Sequence, residues 1–261
     1  MKLALAQMLV EPGAREANVA RALDRISAAA ANGAEAVLLP ECLDLGWTHP
    51  SARELATPVP DGDTCRRLRA AARRHGLFVC AGFVERAEER LFNAAVFIGS
   101  TGELLLHHRK INELDFGREL YATGDRLGVV DTPHGRIGLM ICADGFAPGQ
   151  AIGRSLALMG AEIILSPCAW AVPAEHDNRR EPYGQIWRDN YGAICRDFEV
   201  TIAGCSNVGP ITAGPWCGRK CIGNSMVFGP GGENRLLGPY GERADELLLV
   251  EVQTGISGRL V

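Results

Sequence analysis

The chain has 261 residues, of which 47% are hydrophobic and 22% charged, and its formal net charge is −4. A chain of this length can bury roughly three quarters of its unfolded surface, so a well-formed hydrophobic core is expected. The slightly acidic charge argues against a basic nucleic-acid-binding face. No uninterrupted apolar run is long enough to span a bilayer, so neither a nucleic acid nor a membrane is predicted as a partner.

The N-terminal residues 1–10 contain several apolar residues, but Gln7 interrupts them and no small-x-small cleavage pattern follows. We therefore interpret them as a first strand and not as a signal peptide. Nine cysteines are spread along the chain, and because nine is odd, at least one thiol stays unpaired in a monomer. This spread is unlike a small secreted disulfide framework and predicts a reducing, cytoplasmic setting. Cys217 and Cys221 are spaced like metal ligands, but no second ligand pair lies nearby, so no metal site is predicted.

Apolar runs and amphipathic segments alternate along the whole chain. The periodicity predicts helices over residues 17–31, 64–75, 150–159 and 183–198, with Gly76 ending the second of them. Strands are predicted over residues 3–10, 36–39, 77–84, 93–98, 104–107, 136–141, 163–165, 200–206, 226–228, 235–237 and 247–252. Because no low-complexity linker divides this alternation, we predict one α/β domain over residues 1–261.

Two segments of the chain resemble each other. Residues 33–40 read Gly-Ala-Glu-Ala-Val-Leu-Leu-Pro, and residues 160–167 read Gly-Ala-Glu-Ile-Ile-Leu-Ser-Pro. Each follows a helix, turns at its glycine into a short strand and ends at proline; Glu41 follows the first copy and Cys168 the second. A duplicated helix–strand unit predicts two similar halves packed face to face, with the residues at the strand ends converging on one cleft.

Cys142 stands where a nucleophile could be presented. It follows the apolar run 136–141 and precedes Ala-Asp-Gly, which predicts a buried strand that ends in a tight turn. A thiol at that place would be held rigidly, and the backbone N–H groups of the turn would point at the same pocket, ready to stabilise an oxyanion. Most free cysteines, however, are small buried hydrophobes, and this alternative stays open.

Two other residues bear on that choice. Glu41 follows a buried strand, and a carboxylate in a partly apolar cleft has its pKa raised by desolvation, which suits a general base; the alternative is an ordinary exposed glutamate. Lys110 follows the His-His-Arg segment 107–109, and a lysine near a thiol favours the thiolate and stabilises an oxyanion; the alternative is a surface lysine. His107 and His108 are candidates for a Cys–His pair, but they alternate on a strand, so at most one of them faces any given site.

Together, three segments resemble the Glu–Lys–Cys signature of the nitrilase superfamily of carbon–nitrogen hydrolases, in the same order and with similar spacing. They are Pro40-Glu41, Arg109-Lys110-Ile111 and Ile141-Cys142-Ala143-Asp144. Further fragments are similar to landmarks of that family along nearly the whole chain. They are the opening strand with Gln7 and residues 93–96, 121–125, 135–138, 206–209, 223–225 and 229–232.

The resemblance implies an α-β-β-α sandwich and dimers that pair through helices into eight layers, αββααββα, often assembled further. It implies that Glu41 is the general base, that Cys142 is the nucleophile, and that Lys110 and the Ala143 N–H stabilise the oxyanion. The implied reaction needs no metal or organic cofactor. Cys142 attacks an amide or nitrile carbon while Glu41 accepts the thiol proton; ammonia departs, and water hydrolyses the thioester to an acid.

Sites of this family also contain a second glutamate that orients the lysine and the attacking water. Glu119 is the better match, because it lies shortly before Tyr121 and Gly124. Glu113 is the alternative.

Around the nucleophile the sequence departs from many relatives, which have an aromatic residue directly after the cysteine and an arginine four residues after it. Here those positions are Ala143 and Phe146. Because that arginine can hold a substrate carboxylate, its absence argues against N-carbamoyl amino acids and ω-amides. The argument fails if an arginine of the following segment enters the site instead; the candidates are Arg179, Arg180 and Arg188.

Trp47 and Trp170 stand where pocket walls are expected. With Phe146 they predict an apolar or neutral pocket, and plain core packing is the alternative for each tryptophan. The preferred hypothesis is therefore a thiol amidohydrolase that cleaves a small amide and acts as a homodimer or higher homo-oligomer.

Several alternatives remain open. A nitrilase uses the same residues, although typical nitrilases carry further C-terminal segments and this chain ends soon after its last predicted strand. The others are an N-carbamoyl amide hydrolase, an acyltransferase, a catalytically silent binding member of the same fold, and a redox- or metal-sensing protein, which would need a close thiol pair.

Overall fold

Two mixed six-stranded β-sheets lie at the centre of the computed structural model, which describes residues 1–253. The strands are β1 (Lys2–Gln7), β2 (Ala36–Leu38), β3 (Phe78–Ala87), β4 (Arg90–Ile98), β5 (Leu104–Arg109), β6 (Val129–Thr132), β7 (Gly135–Leu139), β8 (Ile163–Cys168), β9 (Ala171–Val172), β10 (Thr201–Ser206), β11 (Val208–Pro210), β12 (Lys220–Ile222), β13 (Met226–Phe228), β14 (Asn234–Leu237) and β15 (Glu246–Glu251). The helices are α1 (Arg15–Ala31), α2 (Ala52–Leu55), α3 (Asp63–His75), α4 (Ala151–Leu158) and α5 (Gln185–Phe198). Residues 254–261, the end of the predicted domain, lie outside the described part.

The two sheets have the same internal plan. The first has the order β15-β1-β2-β3-β4-β5, and the second has the order β14-β13-β10-β8-β7-β6. In the first sheet β1, β2 and β3 are parallel, and in the second β7, β8 and β10 are parallel. The remaining pairs of both sheets are antiparallel. The predicted α/β class is confirmed.

Each sheet is covered by the other sheet on one face and by helices on the opposite face. On β1, Leu3 and Leu5 belong to the core between the sheets, whereas Ala4 and Ala6 pack towards α1 and α3. This is the period-two alternation of a strand that is buried on both faces. The helices α4 and α5 cover the second sheet from outside. Each large aliphatic side chain buried in these layers stabilises the fold by about 1.5–3 kcal/mol.

The predicted helices and strands all have counterparts, with ends shifted by up to three residues. Gly76 ends α3 in the left-handed conformation, as predicted. The sequence did not predict α2, the half-exposed edge strand β6, or the three-stranded sheet of β9, β11 and β12. These elements are two to four residues long, too short for a periodic pattern. Within residues 1–253, no helix has the length and hydropathy to cross a membrane.

The duplicated units meet directly. The Glu41 N–H donates to the carbonyl oxygen of Cys168 at 3.1 Å, so the residues that follow the two prolines are bonded to each other. Gly82 on β3 permits this contact, because a Cβ there would stand 2.8 Å from both the Glu41 Cα and the Pro167 Cβ. Only glycine leaves room for so close an approach. The ends of β2 and β8 therefore converge, and the cleft between the sheets opens there.

Candidate active site

A buried cluster of opposite charges lies at this convergence. The Lys110 Nζ is 2.8 Å from the Glu41 Oε1 and 3.1 Å from the Glu113 Oε1. All three side chains are at most 2% exposed. The Asn93 amide nitrogen donates to the Glu41 Oε1 at 2.6 Å and to the Glu113 Oε2 at 3.1 Å. One ammonium and one amide therefore hold the two carboxylates together, as buried charges require.

Strands β4 and β5 position this cluster. Lys110 directly follows β5, and its backbone N–H donates to the Asn93 carbonyl oxygen on β4 at 2.8 Å. Asn93 thus fixes the lysine backbone through its own backbone and both carboxylates through its side chain. Sequence reasoning noted residues 93–96 only as a landmark. The available signal was a polar side chain inside an otherwise apolar strand, because a buried amide needs partners.

The expectation that Glu119 lies beside Lys110 is wrong. Glu119 is exposed at the end of the short 3₁₀ helix Asp115–Glu119, where it borders a separate surface groove. Glu113 takes the expected position, and its Oε1 also accepts from the Leu114 N–H at 2.9 Å. Only two residues separate Lys110 from Glu113, and the turn between them directs both side chains into the buried cluster.

The environment sets the protonation states of the cluster. Burial raises the pKa of Glu41 above its usual range, and the nearby Glu113 adds to this, although Lys110 opposes it. Burial alone would lower the pKa of Lys110, but the two carboxylates outweigh it and raise that pKa well above its ordinary value. The lysine therefore stays an ammonium, while Glu41 is a stronger base than an exposed glutamate.

Cys142 lies three residues beyond the end of β7, and not at the end of the strand as predicted. It begins the short 3₁₀ helix Cys142–Phe146 with a φ of 44°, a left-handed conformation that side-chain-bearing residues rarely adopt. Its backbone N–H donates to the Ser166 Oγ at 3.2 Å. The Ala143 N–H belongs to the first turn of that helix, where no intrahelical acceptor exists, so it is available to an oxyanion.

The surroundings of Cys142 favour the protonated thiol over the thiolate. Burial, followed by a hydrogen bond with the Cys168 thiol, raises the pKa of Cys142 well above its ordinary value. A base must therefore remove the proton during attack on a substrate. The contact with Cys168 supplies the close thiol pair that a redox protein would need, but oxidation-sensitive cysteines have lowered pKa values. Within residues 1–253, no group of three or more His, Cys, Asp and Glu side chains could hold a metal ion.

Asp144 joins the turn that begins at Cys142 to the loop that follows Lys110. Its Oδ1 accepts from the N–H groups of Ile111 at 3.1 Å and Asn112 at 2.7 Å, and its Oδ2 accepts from the Ile141 N–H at 2.9 Å. The His108 Nε2 is 2.8 Å from the same Oδ2. Although burial opposes it, the hydrogen bond with His108 helps to hold the pKa of Asp144 below its usual value. Asp144 is therefore a buried carboxylate that fixes two active-site segments.

Of the two histidines that the sequence offered as thiol partners, neither bonds to the thiol. The His108 ring bonds to Asp144, and the His107 Nε2 is 2.9 Å from the Glu85 Oε2, a carboxylate that also pairs with Arg109. Sequence reasoning missed His108 and Asp144 as a pair, because the residues are far apart in the chain. The signal for Asp144 was a carboxylate two residues after a predicted nucleophile.

We expect Asp144→Asn to lower both stability and activity. An amide that replaces the carboxylate must turn an NH₂ group towards at least one backbone N–H donor, and each buried group left unsatisfied costs about 1–3 kcal/mol. A lower melting temperature and a fall of about 10- to 100-fold in kcat/KM should follow, because the loop after Lys110 and the turn at Cys142 would both lose their position. Thermal unfolding and amide turnover measure both. Asp131→Asn, which changes an exposed partner of Arg136, is the matched control; equal behaviour of the two variants would contradict the role of Asp144.

A cavity of about 190 Å³ opens onto these residues. Glu41, Lys110, Cys142 and Ala143 form its reactive end. The other lining residues are Trp47, Leu114, Phe146, Ala169, Trp170, Ala171, Tyr183, Ile186, Trp187 and Trp216. All the predicted pocket residues therefore line one cavity, together with Trp187 and Trp216, which sequence reasoning did not select. Local patterns gave no signal for these two, because they approach from elements distant in the chain.

No arginine lines this cavity within residues 1–253. Arg179 and Arg180 are exposed, and Arg180 pairs with Asp177. Arg188 donates to the Tyr183 carbonyl oxygen at 3.2 Å and to Gln185. The alternative in which one of these three arginines supplies a carboxylate clamp is therefore wrong for this structure.

The acid limb of the pH–rate profile should report the raised pKa of Glu41. A general base must be ionised, so kcat/KM should fall as the pH decreases through that pKa, which lies above the ordinary glutamate value of about 4.3. Glu113→Gln should move the limb to lower pH, because the charge of Glu113 raises the pKa of Glu41. Initial rates across the pH range test both statements. A limb that lies at the ordinary value and does not respond to Glu113→Gln would contradict them.

Known proteins resemble this chain in both sequence and fold. The sequence profile of the carbon–nitrogen hydrolases matches residues 2–258. The chain is similar to a nitrilase of Pyrococcus abyssi, with 35% identity over 181 residues that cover 66% of each chain. It is also similar to an omega-amidase of Xenopus tropicalis, with 33% identity over 180 residues, 65% of this chain and 63% of that one. The matched region thus spans about two thirds or less of the length of these curated relatives.

Solved structures share the fold at low sequence identity. The amidase from Nesterenkonia sp. AN1 in complex with butyramide has a TM-score of 0.80 and 22% identity, and the match covers 96% of this chain and 90% of that one. A carbon–nitrogen hydrolase from Helicobacter pylori G27 has a TM-score of 0.84 and 22% identity, with 97% and 89% covered. At this identity the likeness establishes the fold.

Proposed function

Because the chain belongs to the carbon–nitrogen hydrolase family, the nitrilase superfamily, we propose that it is a thiol-dependent amidohydrolase. It cleaves the C–N bond of a small amide and releases ammonia and a carboxylic acid through a thioester on Cys142. The observation that carries this proposal is the buried Lys110, bonded to Glu41 and Glu113, at the reactive end of the cavity that contains Cys142. A silent binding protein would have no need to bury such charges beside a thiol.

The residues of the cluster divide the steps of the reaction among them. Glu41 accepts the proton of Cys142 as sulfur attacks the amide carbon. The raised pKa of Glu41 favours this transfer, and the raised pKa of the thiol makes such a base necessary. Lys110 and the Ala143 N–H stabilise the oxyanion, and loss of one such donor typically costs about 3–4 kcal/mol of barrier. Glu41 then protonates the leaving amine and activates the water that hydrolyses the thioester. Glu113 and Asn93 position Lys110 and Glu41 throughout.

An amide is favoured over the other substrates. The structurally similar Nesterenkonia amidase binds butyramide, and the cavity here offers no arginine to a carboxylate-bearing ω-amide or N-carbamoyl amino acid. A nitrile needs the same three residues, and a nitrilase is among the relatives, so nitrile hydrolysis is the second candidate. Ammonia release from butyramide, butyronitrile, succinamate and an N-carbamoyl amino acid separates these classes. Butyramide should be the best of the four; faster release from butyronitrile would favour the nitrilase, and no release would favour a binding protein.

The proposal includes a single catalytic domain and a homodimer in the cytoplasm. The family match spans nearly the whole chain, and all nine cysteines are free thiols. Large apolar side chains are exposed at the end of α4, an outer helix of the second sheet: Leu158 and Met159. Pairing of two copies there would bury these side chains and build the eight-layer arrangement. Light scattering of the native chain tests for the dimer, and a monomer at micromolar concentration would contradict it.

A further inference from the structure

The cavity is bounded by two aromatic clusters. The first, which we name the Trp170 wall, consists of Phe146, Trp170, Tyr183 and Trp187. Its Trp170 and Trp187 rings stack with centroids 4.8 Å apart, and Phe146 packs on Trp187 at 5.2 Å. The Trp187 Nε1 donates to the Tyr183 hydroxyl at 3.0 Å, so two of these rings are oriented by a hydrogen bond. These contacts set the orientation of the rings relative to one another.

The second cluster, which we name the Trp47 wall, consists of Trp47 and Trp216. Their centroids are 4.9 Å apart in an edge-to-face arrangement, and Phe116 supports Trp216 at 5.2 Å. All four tryptophans of the chain therefore lie around one cavity, although each could have been used in the core. Such a concentration offers flat apolar surfaces and little that would recognise a polar group.

The charged side chains of the cavity are already paired with each other. Glu41 and Lys110 are the charged residues of the lining, and with Glu113 they form a cluster in which the one positive charge is already paired with two carboxylates. A substrate carboxylate would lose its hydration here without gaining a cationic partner, which is strongly unfavourable. We therefore expect an acyl group without a carboxylate.

The cavity is large enough for an aromatic ring. A closed apolar cavity of about 150 Å³ is enough to bind benzene, and this one has about 190 Å³ and opens to solvent beside the half-exposed Ile186. A six-membered ring and an amide group fit together, whereas a two- or four-carbon amide leaves much of the aromatic surface uncovered.

Resting on the proposed amidase function, we propose that the substrate is the neutral primary amide of an aryl-substituted short-chain acid, with its ring against the two aromatic walls. Phenylacetamide and 3-phenylpropanamide represent this class. The ring gains contact with aromatic faces and edges that an aliphatic chain cannot match. The reactive end then receives only the amide group.

The test compares kcat/KM for phenylacetamide, cyclohexylacetamide, butyramide and succinamate. Phenylacetamide should exceed butyramide at least tenfold and cyclohexylacetamide about two- to tenfold, and succinamate should be the poorest. If butyramide or cyclohexylacetamide equals or exceeds phenylacetamide, the aryl inference is overturned while the amidase function stands. If none of the amides is hydrolysed, the proposed function itself fails.

Substitutions within each wall make the test independent of substrate size. Trp187→Leu and Trp216→Leu should each lower the ratio of kcat/KM for phenylacetamide to that for butyramide about tenfold. Trp216 is partly exposed, so its replacement should leave the fold intact even if the replacement of the buried Trp187 does not. Phe78→Leu, which removes an aromatic ring stacked on Phe97 away from the cavity, is the control and should not change the ratio. Unchanged ratios in both tryptophan variants would overturn the inference.

Discussion

Replacement of Cys142 by alanine is expected to abolish amide hydrolysis, with a loss of at least about 10⁴-fold in kcat/KM. The proposed reaction proceeds through a thioester, and within residues 1–253 Cys142 is the cysteine that lines the cavity. Cys168 is completely buried behind Cys142, whereas Cys217 is exposed on the surface away from the cavity. Alanine tolerates the left-handed backbone at this position as well as cysteine does, so the fold should be retained. Ammonia release from the best amide and the melting temperature measure the two effects.

The controls for this result use the other thiols and the base. Cys217→Ala should retain full activity, because this exposed thiol is remote from the reactive end. Iodoacetamide should inactivate the native chain by alkylating Cys142, and Glu41→Gln should slow this alkylation because the raised pKa of the thiol makes it depend on a base. Intact-mass measurement during turnover should detect the acyl group on the native chain and not on Cys142→Ala. Activity that survives Cys142→Ala would refute the thioester mechanism.

Much of the fold could be predicted because strands buried on both faces are continuous apolar runs. β1, β8 and β10 are examples, and their sequences have few other interpretations. The internal repeat predicted that the strand ends before Glu41 and Cys168 would converge, and the hydrogen bond between the two backbones confirms this. The strands β9, β11 and β12 could not be predicted, because two- or three-residue strands are created by the tertiary fold and not by a local pattern.

The candidate site was harder to predict than the fold, for a physical reason. Glu41, Lys110 and Cys142 were each predicted to follow a strand, which is a local property of the sequence, and they were grouped into one site by the resemblance to the nitrilase superfamily. The choice between Glu113 and Glu119 depended on the direction in which a turn carries two side chains, and no periodicity encodes that direction. The pair of His108 with Asp144 and the contact of Cys168 with Cys142 are long-range contacts between polar side chains, which hydrophobic patterning does not reveal.

Replacement of Lys110 by methionine is expected to impair both catalysis and stability, and the two effects can be separated. Activity should fall by about 10³-fold or more, because a donor to the oxyanion is lost. Stability should fall by about 3–5 kcal/mol, because Glu41 and Glu113 remain buried with only Asn93 between them. Urea unfolding and kcat/KM measure the two effects. Lys220→Met, which removes an exposed lysine bonded to the Ala174 carbonyl oxygen, is the control and should change stability by less than about 0.5 kcal/mol.

The double variant Lys110→Met with Glu113→Gln distinguishes a structural role of the lysine from a catalytic one. Without the charge of Glu113, the repulsion between the two carboxylates disappears, so much of the lost stability should return. Activity should not return, because the oxyanion still lacks its ammonium donor. A double variant as unstable as Lys110→Met would show that like-charge repulsion is not the cause of the instability. A double variant with restored activity would show that Lys110 only neutralises the carboxylates, and the oxyanion would then depend on the Ala143 N–H alone.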